Sequence, residues 1–436
     1  MTPSIHRRHL LAGTVALSAA VCGERVSAKP VAEEQPTAGK RLVATNSGKP
    51  WPLWDDSDAQ GLVDVLNSGE WGRLGGKKVA QFELALREQM QAKYCIATSS
   101  GTSALLTALG ALNIGPGDQV ILPPYTFVAT FNAITSSFAL PVFVDSDLES
   151  FQIDASKIAA AINDSTRLLL PVHIGGTPCN LDEISRVASA HQLPFIEDAC
   201  QAPFSVWRGK PIGAHGMGGC FSFQASKNLT AGEGGAVVTN DEAFANQCYN
   251  YHTPGGSRPA PSHGRGANFR LTEFQGSILL TQLARVAEQA KLRDQNALYL
   301  SEMLAKIPGI QPAKWYDGCE RSAWHLYMFR YDPKQFNGMS REAFLQELRK
   351  AGVSGSGGYT SLNKTKHVLA LADNRHYQKI YGADFMRGWA EANQCPVNDQ
   401  LCEQAVWFSQ YTLLEPRTQM EHIAASIDAI RNKAIG

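Results

Sequence analysis

The segment Phe221-Ser222-Phe223-Gln224-Ala225-Ser226-Lys227-Asn228-Leu229-Thr230-Ala231-Gly232-Glu233-Gly234-Gly235 holds one lysine whose immediate neighbours are neutral, between an apolar run and a glycine-rich turn that carries the segment's one acid, Glu233. A lysine with no carboxylate beside it, once desolvated, loses part of its preference for the charged state, and a neutral amine attacks carbonyl carbon. Taken alone, such a lysine is more often a solvated surface residue. Asp198 stands 29 positions earlier, after Ile196-Glu197. A carboxylate at a strand's carboxyl end can face a protonated ring nitrogen, or it can simply cap the next helix. A third element, Ser99-Ser100-Gly101-Thr102-Ser103, precedes an Ala/Leu-rich stretch. Free N–H groups, hydroxyls and a positive helix end make a phosphate cradle, although an ordinary N-cap has the same composition. The segment lacks the lysine of a Walker loop and the spacing of a dinucleotide fingerprint, which disfavours ATP and NAD.

These residues need elements to position them. Apolar runs at 95–98, 119–122, 142–144, 168–172, 195–197, 220–223 and 236–239 read as strands. Helical periodicity at 79–90, 102–112 and 181–191 falls between several of them. Such alternation predicts an α/β fold, a mostly parallel sheet flanked by helices, and in such sheets ligands gather at the carboxyl ends of strands. A long helix at 273–296 leads away from this unit towards a second, smaller α+β one that includes a helix at 341–351 and the glycine-rich turn 352–358.

The chain has 436 residues, 44% of them hydrophobic, and its 40 basic and 40 acidic residues balance. That balance removes the usual reason to expect nucleic acid or an anionic membrane as partner, and the apolar content excludes disorder. Arg7-Arg8, an apolar run from Leu10 to Val21 and Val26-Ser27-Ala28 together read as an export signal, too short to span a bilayer. The paired arginines resemble the twin-arginine type, which implies a periplasmic or extracellular destination without a stable membrane span after processing. The alternatives are an ordinary Sec signal or a retained anchor, and a cytoplasmic location if the segment is no signal. The expected organisation is an export signal over 1–28, a flexible linker over 29–49, a large domain over 50–300 and a small C-terminal domain over 301–436. The cysteines show no CxxC pair, so they suggest neither a metal site nor a small-scaffold disulfide framework.

The order of these elements resembles the DegT-type sugar aminotransferase family. The likeness is strongest in Gly115-Pro116-Gly117-Asp118, Thr126-Phe127-Val128-Ala129-Thr130, Pro141-Val142-Phe143-Val144-Asp145, 196–202 and 227–240. The resemblance implies the fold type I of pyridoxal phosphate (PLP) enzymes, with PLP as cofactor and a homodimer with shared active sites. It further implies that Lys227 forms a Schiff base with the cofactor and shuttles protons. Asp198 should face the pyridine nitrogen, Gln201 the ring hydroxyl, and Phe127 should stack on the ring. Thr102, Ser103 and Ser222 should hold the phosphate, and Asn268 should reach the phosphate in the neighbouring subunit. His325 and Tyr359 resemble substrate-side positions, where a packed core residue would look the same. Gln224 departs from the residue found in many sugar-nucleotide members. Phe-Gln before the lysine and Leu-Thr-Ala-Gly-Glu-Gly-Gly after it are closer to cyclitol aminotransferases and 3-amino-5-hydroxybenzoate synthases. The implied reaction moves an amino group from glutamate or glutamine to a keto sugar, keto-cyclitol or related carbonyl compound. The rival readings are a dehydratase or dehydrating synthase on the same fold, against which Lys227 in place of histidine argues, and an exported non-catalytic homologue.

Overall fold

Seven strands build the central sheet of the computed structural model, which describes residues 51–261 and 263–436. The expected export signal and linker lie outside the described residues. Along the chain the strands of this sheet are β1 (Tyr94–Thr98), β2 (Gln119–Leu122), β3 (Leu140–Phe143), β4 (Thr166–Leu169), β5 (Ile196–Asp198), β8 (Gly218–Ser222) and β9 (Gly235–Thr239), with a hairpin of β6 (Val206–Trp207) and β7 (Lys210–Pro211) outside it. Parallel ladders join β3-β2-β4 and β5-β8, while β9 pairs antiparallel with both β8 and β1. Parallel bridges Leu169–Phe195 and Val172–Asp198 connect the two groups, so the order is β3-β2-β4-β5-β8-β9-β1, with β9 running against the rest. The sheet is mostly parallel, as the alternating pattern predicts. Every residue of β8 and of β9 is buried, the state of strands covered on both faces.

The flanking helices follow from their apolar stripes and caps. The helix Lys78–Gln89 buries Val79, Phe82 and Leu86, and Leu181–Ala190 buries Leu181, Ile184 and Val187 under an Asn180 cap. The helix Gly101–Ala111 starts in a reciprocal capping box between Ser100 and Ser103. Its first residue must be small: a Cβ on Gly101 would lie 2.6 Å from the Cβ of Ser222, and one on Gly235 would lie 2.3 Å from the Ser100 carbonyl oxygen. Those two glycines let the helix start settle against the ends of β8 and β9.

A second sheet, antiparallel, contains β10 (Ile310–Pro312), β12 (Leu326–Tyr331) and β13 (Ala405–Ser409) in the order β10-β12-β13. The strand β11 (Cys319–Arg321) joins the β6–β7 hairpin instead. The helix Glu273–Leu304 serves both parts. Leu279, Leu283 and Val286 belong to a core beneath the central sheet, and Ala297, Leu300 and Leu304 to the core around Phe329, Phe344 and Ile423. The expected boundary at residue 300 falls inside this helix, and the described residues make up one compact unit. Helices Arg375–Tyr381 and Ala383–Ala392 return to the central sheet. There Tyr377 donates to the Ala139 carbonyl at 2.9 Å and Trp389 to that of Pro141 at 2.8 Å. The eight cysteines from Cys95 onward are all free thiols. No helix among the described residues is long and apolar enough to cross a membrane.

Candidate active site

The strand ends converge on a cavity of about 680 Å³. Asp198, the last residue of β5, is buried there at 4% exposure. Its Oδ2 accepts from the Thr130 hydroxyl at 2.7 Å and its Oδ1 from the Cys200 N–H at 3.2 Å. Thr130 lies 2.9 Å from the Thr126 hydroxyl, and because it gives its own proton to Asp198, it accepts from Thr126. Behind Asp198, the fully buried Glu197 accepts N–H groups from Gly213, His215 and Gly216 and lies 3.1 Å from His173 Nε2. The Cys179 N–H points at His173 Nδ1, so the ring proton sits on Nε2 and is donated to Glu197. Burial pushes the Glu197 carboxyl up, but the donors from His173 and Gly213 outweigh it and hold it below its ordinary value. This network ties β5 to the turn that enters β8.

Lys227 follows β8 in a turn closed by its own N–H to the Gln224 carbonyl at 2.8 Å. The Gln224 side-chain oxygen accepts from the Ser226 N–H at 2.9 Å and hydroxyl at 2.7 Å, so this departure from many sugar-nucleotide members serves the turn itself. Burial holds the Lys227 ammonium below its ordinary pKa, against the opposite pull of Cys200 and Asp198. Its Nζ lies 3.4 Å from His325 Nε2. Gln201 accepts the Gly175 N–H on Oε1 at 2.8 Å and donates through Nε2 to the Tyr359 hydroxyl at 2.9 Å. Burial pushes that phenol up to about 12, which keeps it protonated.

The sequence-expected residues divide in place. Thr102, Phe127, Asp198, Gln201, Ser222, Lys227, His325 and Tyr359 all line the one cavity. Phe127, at 58% exposure, stands at the start of the helix Val128–Ser136 and lines the cavity with a largely uncovered ring. Ser103 does not line the cavity. Its hydroxyl and N–H are taken by the capping box with Ser100, which leaves Ser100, Gly101 and Thr102 facing the space. Asn268 is exposed and lies outside the cavity of its own chain. Sequence reasoning missed Thr130, whose signal was its place in Thr126-Phe127-Val128-Ala129-Thr130, one helical turn after Thr126. It also missed Trp407, Ser409 and Tyr411, which the second sheet and the turn after it lend to the cavity. Trp407 meets Tyr359 edge-on with ring centroids 4.7 Å apart.

These residues fit PLP. A carboxylate held by two donors suits a pyridinium nitrogen, an uncovered phenyl ring suits the face of a flat heterocycle, and an amine stands in the same space. The approach of Gly101 to Ser222 leaves a hydroxyl beside the first N–H groups of a helix, a place for phosphate.

Comparison with known proteins agrees with this geometry. Residues 53–428 match the profile of the DegT/DnrJ/EryC1/StrS aminotransferase family. The chain is 32% identical over 385 residues to the 3-amino-5-hydroxybenzoate synthase of Amycolatopsis mediterranei, covering 87% of this chain and 96% of that one. It is 32% identical over 417 residues to the L-glutamine:2-deoxy-scyllo-inosose aminotransferase of Micromonospora echinospora, covering 89% and 97%. Among solved structures, an aminotransferase from Psychrobacter cryohalolentis superposes with a TM-score of 0.78 at 28% identity, covering 89% and 100% of the two chains. A 3-amino-5-hydroxybenzoic acid synthase superposes with 0.77 at 30% identity, covering 88% and 98%. The chain therefore belongs to the DegT/DnrJ/EryC1/StrS aminotransferase family and is a PLP-dependent aminotransferase.

Proposed function

We propose that this aminotransferase takes its amino group from glutamate or glutamine and delivers it to a keto sugar or keto-cyclitol, with Lys227 as the residue that binds the cofactor and moves the proton. The observation that carries the reading is one cavity shared by the half-buried amine of Lys227, which desolvation holds below its ordinary pKa, and the donor-held carboxylate of Asp198. PLP, when bound, supplies the carbonyl carbon that carries the amino group and a ring that takes up electrons. In this reading Asp198 keeps a proton on the ring nitrogen, Gln201 faces the ring hydroxyl, and Phe127 packs on the ring. Thr102 and Ser222 hold the phosphate, together with the N–H groups of Gly101 and Thr102. Lys227 accepts a proton in one half-reaction and returns it in the other.

The glutamine-dependent inosose aminotransferase at 32% identity supports the donor and the cyclic acceptor. The aromatic side of the cavity, Tyr359 and Trp407, supports a ring-shaped acceptor, because sugar and cyclitol C–H faces pack well on aromatic rings. The reading includes a homodimer in which Asn268 serves the partner's site, as its exposure and its place outside its own cavity allow. It also includes export through the twin-arginine-like signal, supported by Arg7-Arg8 and the apolar run after them.

The test begins with the holoenzyme and single amino acids. Glutamate or glutamine should shift the visible absorption of the bound cofactor, and a keto-cyclitol or keto sugar should restore it with formation of the amine. If other amino acids act and those two do not, the donor assignment fails. If the shifted spectrum is never restored by any cyclic ketone, the acceptor assignment fails.

A further inference from the structure

The cavity contains a histidine whose surroundings settle what it can do. Asn228, the residue after Lys227, donates its side-chain N–H to the Ala323 carbonyl at 2.6 Å. That bond fixes the amide orientation and turns Oδ1 towards His325 Nδ1, 3.2 Å away. An amide oxygen only accepts, so Nδ1 carries the ring proton and the bare Nε2 faces Lys227 Nζ at 3.4 Å. We propose that His325 is a positioning residue for Lys227: its Nε2 accepts a hydrogen bond from Nζ, with the tautomer set by Asn228, and so directs the amine. The proposal rests on the reading of Lys227 given above.

The backbone around His325 is built for this aim. Trp324 just before it has φ +54°, a left-handed conformation that a bulky residue keeps only when its surroundings hold it. They do: its indole N–H donates to Asp294 at 2.5 Å and its backbone N–H to the Ser322 hydroxyl at 3.1 Å. On the other side, the Gln410 N–H donates to the His325 carbonyl at 3.0 Å. The charged groups bearing on the imidazole come from two elements. One is Lys227 on the turn after β8; the other is Arg293, buried in the helix Glu273–Leu304 and bonded through Nε and Nη2 to Gln410 Oε1. Burial, Lys227 and Arg293, in that order, push the imidazolium well below its ordinary pKa. A ring that stays unprotonated accepts from Lys227 whenever its amine is free of the cofactor and does not carry protons itself. An amine that donates one N–H to a fixed acceptor has its lone pair pointed away from that acceptor, and this restricts the directions from which it reacts.

The decisive experiment is nitrogen NMR of the holoenzyme with ring-labelled histidine, with His325 assigned by the signal lost in His325→Gln. The expected result is a neutral ring protonated on Nδ1 that does not titrate between about pH 5.5 and about pH 9. A proton on Nε2, or a titration near the ordinary histidine value, overturns the proposal. A second arm uses Asn228→Asp. The new carboxylate favours the imidazolium and raises the histidine pKa, and a protonated ring cannot accept from Lys227. Activity should then acquire an acid limb absent from the native profile, with a loss of about tenfold or more below it. If this variant folds and its profile matches the native one, the proposal fails. If it does not fold, the tautomer of the native enzyme still decides. Mapping the cofactor's attachment separates the two readings. Attachment to another lysine defeats the assignment of Lys227, whereas attachment to Lys227 with the opposite histidine tautomer defeats only this inference.

Discussion

The two sides of the cavity are made in different ways. Residues at the ends of the central strands are polar, sparse and each held by a named partner: Asp198 by Thr130 and the Cys200 N–H, Gln201 by the Gly175 N–H, Lys227 by a turn that Gln224 closes. The second sheet lends Trp407 and Ser409, and the segments beside it lend Tyr359 and Tyr411, aromatic and small polar side chains whose bonds to one another are few. The first kind of wall suits chemistry that stays the same whatever the substrate, because fixed dipoles act without reorganising. The second kind suits recognition, because aromatic faces accept rings of differing substitution and can change without disturbing the catalytic groups. In the proposed reading one compact unit separates what reacts from what selects.

Substitutions on the two sides should have unlike consequences. Lys227→Ala should cost the most, about 10⁴-fold in turnover with both donor and acceptor, measured by single-turnover spectroscopy of each half-reaction. Asp198→Asn should come next. Turnover should fall by about 10²- to 10³-fold in both half-reactions while cofactor occupancy, read from absorbance after dialysis, changes far less. A near-native rate in that variant would remove Asp198 from the reacting ring. Thr130→Val takes away one donor from Asp198 and should lower turnover by about tenfold without changing the KM of either substrate. Trp407→Ala should have the smallest effect and the most one-sided one. We expect the acceptor KM to rise about three- to tenfold, with the donor half-reaction unchanged. If Trp407→Ala slows the donor half-reaction as much as the acceptor one, the division between the two sides collapses.

The same contrast governs what could be read in advance. Polar residues that end apolar strands stand out against their surroundings, and Asp198, Gln201, Ser222 and Lys227 meet in one cavity; β2 stands out because Pro123-Pro124 end its apolar run. The second sheet offers no such contrast. Leu326-Tyr327-Met328-Phe329 and Val406-Trp407-Phe408 are apolar on both faces. Only the observed register shows that Phe408 enters the core with Tyr327 and Phe329 while Trp407 and Leu326 border the cavity. Alternation along a strand cannot be seen when both faces bury apolar side chains. Ser103 illustrates another limit, because a hydroxyl in the first turn of a helix can face a ligand or close a capping box, and here the box takes it. Helices such as Asp56–Ser68 and Ala383–Ala392 went unread in sequence, the first because its buried positions Asp58, Gly61 and Val65 form no apolar stripe.

The central claim is that Lys227 holds the cofactor, and one measurement addresses it without any substrate. Borohydride reduction of the holoenzyme, followed by proteolysis and mass mapping, should find the reduced cofactor on the peptide containing Lys227 and nowhere else. The reduced cofactor on any other lysine, or a native amount of bound label in Lys227→Ala, would contradict the account.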